Sequence, residues 1–277
     1  MIVSSIEIFA FSLLAGFLGS LLGLGGGIII IPALTLIMGV DIKYAIGASI
    51  ISVIATSSGS AIAYLKDKIT NIRVGMLLEM ATTTGALTGA FIASVINAKY
   101  LYLIFGMLLL YSSVNMFGKR KEELPEAFTL NPLADKLKLG GVYYDKALSR
   151  EVAYNATGVY GGFGMMYLAG VISGLLGIGS GIFKVLAMDR FMKLPMKVST
   201  ATSNFMIGVT AAASSGIYLT RGNINPQIAA PVALGVLIGA SVGTKIMQCL
   251  KSTTLRMIFI PVLLYVSIEM IVKGVMI

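Results

Sequence analysis

The chain contains no histidine, a single cysteine at position 249 and few charged residues. Without histidine a Ser-His-Asp enzyme is excluded, and one cysteine cannot close an intramolecular disulfide. A metal, haem or iron–sulfur site made from histidine and cysteine ligands is not expected for the same reason. The phosphate-binding patterns GxGxxG and GxxxxGK[ST] are missing as well. We therefore expect no enzyme, no cofactor and no metal.

Charged residues make up 12% of the 277 positions, whereas hydrophobic residues make up 57%. A soluble domain carries about 25% charged residues. Several apolar runs exceed the roughly 20 residues that span a bilayer, so the composition predicts a polytopic membrane protein. The net charge is +9, and the basic residues lie at the ends of these runs. Topology and lipid headgroups therefore explain it better than nucleic acid does. The first residues lack the basic region of a signal peptide, so we expect the first segment to be retained.

A glycine cluster interrupts the first apolar run and recurs in the second half. Gly23-Leu24-Gly25-Gly26-Gly27 corresponds to Gly177-Ile178-Gly179-Ser180-Gly181 at a constant offset of 154 residues. The same offset relates Lys43 to Lys197, Ser49 to Ser203 and Thr56 to Thr210 without a gap. Chance similarity of apolar strings does not keep glycines, lysines and hydroxyl residues in phase. The chain therefore contains an internal repeat.

Each half reads as one glycine-broken segment followed by three continuous apolar segments. The predicted spans lie at about 44–65, 73–96, 100–117, 198–219, 227–248 and 254–272. We expect a first membrane repeat at 1–118, a polar linker at 119–155 and a second membrane repeat at 156–277. The linker reads as a solvated connection rather than as a site.

The distribution of lysine and arginine decides between two topologies. If both broken segments cross the membrane, the 21 basic residues divide almost evenly, with 9 on one side and 12 on the other. If each broken segment turns at its glycines and leaves on the side it entered, 17 lie inside and 4 outside. The second arrangement is favoured. It predicts an all-α membrane protein of two inverted repeats, each a re-entrant helical hairpin plus three transmembrane helices, with both termini outside and the linker cytoplasmic.

A hairpin arm of about 16 residues is about 24 Å long, so the two glycine tips can meet near the midplane of the membrane. Free N–H groups at a broken helix favour an anion. Hydroxyl and amide side chains follow each break and can donate to substrate oxygens. The candidate substrate-binding residues are Gly25, Gly26, Gly27, Ser49, Gly179, Ser180, Gly181, Lys184, Thr202, Ser203 and Asn204. An alternative is that the glycines only allow close helix packing and the hydroxyls bond their own helices.

Two charged residues interrupt the apolar segments. Lys184 follows the second glycine cluster where the first half has Ile30. It is either a cation near an anionic substrate or a side chain that extends to the headgroups. Glu79 lies about 9 Å beyond Arg73 along its span. It is a candidate for proton coupling or the partner of a neighbouring basic residue.

These residues resemble those of the TauE/SafE family of sulfite and organosulfonate exporters. The resemblance rests on the stretch from Gly19 to Pro32, the Gly177 to Lys184 stretch and the Lys197 to Met206 stretch. It covers both halves but not the linker. It implies secondary transport of a small anion such as sulfite, thiosulfate or an organosulfonate. The half-sites are unequal, because Ser180 replaces Gly26 and Leu186 replaces Pro32.

The sequence therefore predicts a transporter in the plasma or inner membrane that exports a small anion held between the two tips. Alternatives are a passive anion channel of the same fold, a carrier of small carboxylates, or a membrane scaffold without transport. The expected partners are the anion and the lipid bilayer, with no nucleic acid. A homodimer stays open.

Overall fold

The apolar runs form long helices whose ends agree closely with the predicted spans. The computed structural model describes residues 5–22, 26–66, 69–117, 132–145, 150–247 and 252–276. Within these ranges the elements are α1 (Ser5–Leu22), α2 (Gly27–Pro32), α3 (Ile42–Lys66), α4 (Ile72–Val95), α5 (Ala98–Phe117), α6 (Pro132–Lys136), β1 (Gly141–Asp145), β2 (Arg150–Tyr154), α7 (Val159–Leu176), α8 (Gly181–Leu186), α9 (Met196–Thr220), α10 (Pro226–Met247) and α11 (Ser252–Met276). The six predicted spans correspond to α3, α4, α5, α9, α10 and α11.

Four helices in the described ranges are long and apolar enough to cross a bilayer. Their apolar stretches are Ile42–Gly59, Ile72–Val95, Val159–Leu176 and Pro226–Gly243. Shorter apolar helices lie at Ser5–Gly19, Gly27–Ile37 and Ala98–Tyr111. The prediction of an all-α membrane protein is confirmed. α7 has 18 residues and is longer than the predicted hairpin arm.

Helices of one half pack against helices of the other half in two corresponding pairs. α1 of the first half packs on α10 of the second, and α7 of the second half packs on α4 of the first. The remaining helices pair with their own counterparts, α3 with α9 and α5 with α11. The repeat offset relates α1 to α7 and α4 to α10, so each contact between the halves has a counterpart. The main contacts between the repeats therefore come in corresponding pairs.

The directions of the helices follow from close approaches at glycines. A Cβ atom at Gly47, near the start of α3, would lie 2.2 Å from the carbonyl oxygen of Asn223, just after α9. Ser57 Oγ, further along α3, accepts a hydrogen bond from the N–H group of Gly208 at 2.9 Å. As α3 advances, its contacts move back along α9. The two helices are therefore antiparallel.

After each glycine break the chain doubles back along the preceding helix. The N–H group of Thr157, just before α7, donates to the carbonyl oxygen of Met192 at 3.0 Å. In the first half Ile8 and Ser12 of α1 line a small cavity together with Leu34 and Met38. α1 and α7 therefore each form a helical hairpin with the short helix that follows.

The connection between the halves contains elements that the sequence did not predict. Strands β1 and β2 pair antiparallel, with Gly141 opposite Tyr154. Tyr154 is buried, and burial raises the pKa of its hydroxyl above the ordinary value of 10. Asn71, at the start of α4, donates its amide to the Tyr154 hydroxyl at 3.0 Å and to the carbonyl oxygen of Leu139 at 2.8 Å. These bonds join the connection to the end of the helix bundle.

Candidate functional site

The chain reverses direction at residues in the left-handed backbone region. Gly26 has a φ of +72° directly before α2, and Ser180 has a φ of +45° directly before α8. Gly177 and Gly179 have φ values of +65° and +73°. Glycine adopts this region without steric cost, whereas other L-residues do so rarely. Gly25, the remaining glycine predicted at the first break, lies outside the described residues. Below, Gly26 and Gly27 are the first tip, and residues 177–181 are the second tip.

The two tips are in direct contact. A Cβ atom at Gly27 would lie 3.1 Å from the carbonyl oxygen of Gly177 and 3.1 Å from the Cα atom of Ile178. Ser49 Oγ donates to the same Gly177 oxygen at 2.7 Å, and a Cβ at Gly27 would approach that hydroxyl to 2.5 Å. Any residue larger than glycine at position 27 would therefore displace the second tip. The structure brings Gly27, Ser49 and the second tip together.

The counterpart of Ser49 makes a different contact. Ser203 Oγ donates at 3.2 Å to the carbonyl oxygen of Gly181, within its own half. Gly179 packs against Ile207 of α9 and Val53 of α3, where an added Cβ would lie 2.7 and 3.0 Å from their side chains. The repeat thus places both serines at the second tip, one from each half.

Ser180 is a buried polar residue at the second tip. Its side chain is 3% exposed, and its hydroxyl oxygen has no hydrogen-bond partner in the part of the chain that the structure describes. The residue also occupies a backbone region that favours glycine. An unbonded buried hydroxyl costs about 1 to 3 kcal/mol. The Ser180 hydroxyl could therefore donate a hydrogen bond to a ligand that has an acceptor atom.

Lys184 is fully buried in the protein and does not extend to the headgroups. Its exposed fraction is 0%, and its Nζ atom lies 2.5 Å from Thr210 Oγ1. Thr210 Oγ1 donates in turn to Glu79 Oε1 at 2.6 Å. Thr83 Oγ1 donates to the same carboxylate oxygen at 3.0 Å. One of the alternatives for Glu79 was a link to a basic residue. The structure has such a link to Lys184, and it runs through the hydroxyl group of Thr210.

The other predicted side chains bond protein groups away from this chain of contacts. Thr202 Oγ1 accepts a hydrogen bond from the N–H group of Asn71 at 3.0 Å, at the turn before α4. Asn204 Nδ2 donates to the carbonyl oxygen of Thr200 on its own helix at 3.1 Å. The main-chain carbonyl oxygen of Asn204 accepts a hydrogen bond from Ser57 Oγ of α3 at 2.6 Å. These contacts join α9 to its neighbours and do not place either side chain at the tips.

Sequence reasoning did not identify Thr210 as the link between Lys184 and Glu79. One signal was present, because Thr210 lies seven residues after Ser203 on α9. Seven residues are about two helical turns, which puts both hydroxyls on one face. The missing part was the packing of α4 against α9, which brings Glu79 to that face. Among the described residues no cluster of acidic residues and cysteine is suited to hold a metal ion.

Comparison with known proteins agrees with this architecture. The profile of the family Sulfite exporter TauE/SafE matches residues 8–270. Probable membrane transporter protein YunE of Bacillus subtilis (strain 168) is 29% identical over 280 residues, covering 99% of each chain. YdhB of the same organism is 26% identical, covering 90% of this chain and 91% of its own. MJ0441 of Methanocaldococcus jannaschii is 26% identical, covering 90% of this chain and 89% of its own.

YdhB and MJ0441 also carry the description probable membrane transporter protein. No solved structure matches the chain. The family match covers both halves and the connection between them. The protein is embedded in the membrane, it is a transporter rather than an enzyme, and it belongs to the TauE/SafE family.

Proposed function

We propose that the protein is a secondary transporter that exports a small anion, with sulfite, thiosulfate or an organosulfonate as the substrate class. The observation that carries the proposal is the fully buried Lys184, one turn beyond the second tip. A charged side chain inside a membrane protein is costly and marks substrate or ion pathways. Its ammonium group provides the positive charge that an anion needs, and the family match supports the sulfur-oxyanion class.

We further propose that the halves are inverted repeats whose hairpins enter from opposite faces of the membrane. Three observations support this. α3 and α9 are corresponding helices and run antiparallel. Each hairpin returns to the end at which it began. The re-entrant topology also places 17 of the 21 basic residues on one side. In this arrangement the termini are outside and the connection is cytoplasmic.

The substrate would bind where the tips now touch. Ser180 and Lys184 provide a hydroxyl and an ammonium group, and Ser49 and Ser203 now donate to carbonyl oxygens of the second tip. When the tips part, Ser49 loses its carbonyl acceptor in the other half, and its hydroxyl becomes available to an oxyanion oxygen. Ser203, whose acceptor lies in its own half, would exchange that acceptor for the anion. Thr202 and Asn204 would then support the shape of α9 rather than contact the anion. Movement of one repeat against the other would open the site to each side in turn.

Ligand-dependent stabilisation tests the proposal. We expect sulfite, thiosulfate or an organosulfonate to raise the Tm of the purified protein, and ligand at about 100 times Kd to add about 2.7 kcal/mol. Lys184→Met should abolish the shift, whereas Lys99→Met, a partly exposed lysine at the start of α5, should keep it. If none of these anions shifts the Tm of the wild-type protein, or if Lys184→Met responds like the wild type, the proposal is wrong.

A further inference from the structure

The two carboxylate oxygens of Glu79 differ in their hydrogen bonds. Oε1 accepts hydrogen bonds from Thr210 at 2.6 Å and Thr83 at 3.0 Å. Oε2 is buried and has no hydrogen-bond partner among the described residues. A bare buried carboxylate oxygen is costly, because no donor replaces its lost water. A proton on Oε2 lowers that cost, because a neutral carboxyl group is easier to bury than a carboxylate.

Thr210 keeps a hydrogen-bond acceptor in either protonation state of Glu79. Its single hydroxyl proton has three acceptors within reach, Glu79 Oε1 at 2.6 Å, the carbonyl oxygen of Met206 at 2.9 Å and Thr82 Oγ1 at 3.5 Å. When Glu79 is ionised, the hydroxyl donates to Oε1 while the Lys184 ammonium donates to the hydroxyl oxygen. When Glu79 is neutral, the hydroxyl can donate to Met206 instead. The hydrogen-bond network therefore tolerates both states without repacking.

Charge balance links these two states to the anion. When Glu79 is ionised and no substrate is bound, Lys184 and Glu79 carry opposite charges and their sum is zero. A monovalent anion on Lys184 would then leave the Glu79 carboxylate as an unbalanced buried charge, which is unfavourable. Uptake of one proton by Glu79 restores neutrality. Anion and proton binding therefore favour each other at this site.

The Glu79–Lys184 pair occurs once, although the repeat offers two equivalent positions for it. The counterparts of Lys184, Thr210 and Glu79 at the repeat offset are Ile30, Thr56 and Ala233. Thr56 Oγ1 donates to the carbonyl oxygen of Ser52 on its own helix at 2.8 Å. The threonine is thus common to both halves, whereas the lysine has no counterpart in the first half and the glutamate has none in the second. Thr56 shows that the threonine can be accommodated without charged residues at the two corresponding positions. A structural role for Thr210 therefore does not explain why Glu79 and Lys184 are there.

The other ionisable groups on the elements around Glu79 are remote along their helices. α7 carries Tyr160 at its exposed start and Tyr167, whose hydroxyl lies 3.3 Å from Thr88 Oγ1, nine residues beyond Glu79. α9 carries Lys197, about 20 Å along the helix from Thr210. It also carries Tyr218, which donates to the carbonyl oxygen of Gly174 at 2.8 Å.

On α4 itself, the Arg73 guanidinium donates to the carbonyl oxygen of Lys138 at 3.2 Å. Lys184 is therefore the cation that is coupled to Glu79 through a hydroxyl.

We infer that Glu79, Thr210 and Lys184 form a proton-coupling site, in which one proton on Glu79 accompanies each anion on Lys184 through the membrane. The inference rests on the proposed anion transport and adds the coupling ion to it. The proton comes from water on the open side, binds Glu79 Oε2 and returns to water on the other side. No covalent bond to the anion forms or breaks. For a monovalent anion the cycle is electroneutral, so the proton and anion gradients together set the direction.

Proteoliposomes that contain a pH-sensitive dye test the coupling. The probes are labelled methanesulfonate, which is monovalent, and labelled thiosulfate and, at alkaline pH, sulfite, which are divalent; none of them carries a proton of its own under those conditions. A methanesulfonate gradient across wild-type vesicles should move protons with the anion at a ratio of one, and the divalent anions should also carry protons with them. In Glu79→Gln the number of protons moved per anion should fall from one towards zero, and Glu79→Asp should restore it. Glu269→Gln, which removes a carboxylate from α11, should behave like the wild type.

Thr210→Ser should keep the coupling and Thr210→Val should lose it, while Thr84→Ala serves as the control hydroxyl on α4. In detergent, anion affinity of the wild type should rise with falling pH by up to about tenfold per pH unit, as expected for uptake of one proton. In Glu79→Gln the affinity should not depend on pH. This second measurement applies even if the variant cannot be reconstituted.

The outcomes separate the two proposals. If the wild type exchanges none of the three anions and binds none in detergent, the proposed function is wrong. If anions are exchanged without proton movement, or Glu79→Gln moves protons as the wild type does, the coupling inference alone is wrong.

Discussion

At the scale of single residues, the two breaks differ most at the position of Gly26 and Ser180. Both residues adopt a left-handed backbone, but only Gly26 does so without strain. A Cβ at Gly26 would have no atom closer than 3.6 Å, so a side chain is not excluded there by space. Ser180 keeps a strained backbone and an unbonded hydroxyl together. Such a combination indicates that the hydroxyl serves binding rather than stability.

Ser180→Gly should therefore stabilise the protein and weaken anion binding. We expect a gain of about 1 kcal/mol from the released backbone strain. We expect a roughly tenfold loss of affinity, because a hydrogen bond to a charged group contributes about 1.5 kcal/mol. Thermal unfolding and anion titration of the same sample measure both effects. Ser180→Ala should lose the same affinity but keep the backbone strain, so any gain in its stability comes only from removal of the unbonded hydroxyl. Unchanged affinity in both variants would show that the hydroxyl does not contact the anion.

At the scale of elements, the segments after both breaks share an unusual geometry. α2 continues as a π-helix at Ala33–Ile37, and α8 continues as a π-helix at Ala187–Phe191. The two π segments correspond at the repeat offset although Pro32 in one half is matched by Leu186 in the other. Proline is therefore not the cause of the π turn. π segments are frequent at functional sites and free carbonyl groups for other partners. Thr35, in the first segment, uses its carbonyl oxygen to accept from Lys273 Nζ at 2.6 Å.

Glycines also set the distance between α4 and α7. A Cβ at Gly174 would lie 2.0 Å from the carbonyl oxygen of Ala86, whereas a Cβ at Gly164 on the same helix meets nothing within 4 Å. We expect Gly174→Ala to destabilise the protein by about 2 kcal/mol through overpacking. Gly164→Ala should stabilise it by up to about 1 kcal/mol through helix propensity. Thermal unfolding of the two variants measures the difference, and equal effects would contradict the described α4–α7 contact.

The sequence predicts the elements well and the contacts between them poorly. Apolar runs and glycine clusters locate the six spans and both breaks within a few residues, because bilayer thickness fixes helix length. The repeat also predicts that Ser49 and Ser203 lie near the tips. The β1–β2 hairpin was missed because its polar stretch gives no membrane signal. The Glu79–Thr210–Lys184 contact was missed because it joins three elements whose packing no spacing within one segment reveals.

At the scale of the whole molecule, the proposed inverted topology places the two hairpin openings on opposite faces of the membrane. On a background in which Cys249 is replaced by serine, Tyr44→Cys near the first opening should react with an impermeant thiol reagent added outside. Arg190→Cys near the second opening should react only after the membrane is permeabilised. Both side chains are exposed in the structure, so access to the reagent depends on the side of the membrane. Labelling of both cysteines from the same face would contradict the inverted arrangement.

The central claim is that a small sulfur oxyanion or organosulfonate crosses the membrane at the buried Lys184. Counterflow in proteoliposomes tests it most directly. Vesicles loaded with unlabelled sulfite, thiosulfate or methanesulfonate should transiently accumulate the labelled anion when they contain the wild-type protein or Lys99→Met. Vesicles with Lys184→Met should lose at least about 90% of this signal, since an interaction worth 1.4 kcal/mol changes affinity tenfold. Ohmic conductance without counterflow, or undiminished counterflow in Lys184→Met, would contradict the claim.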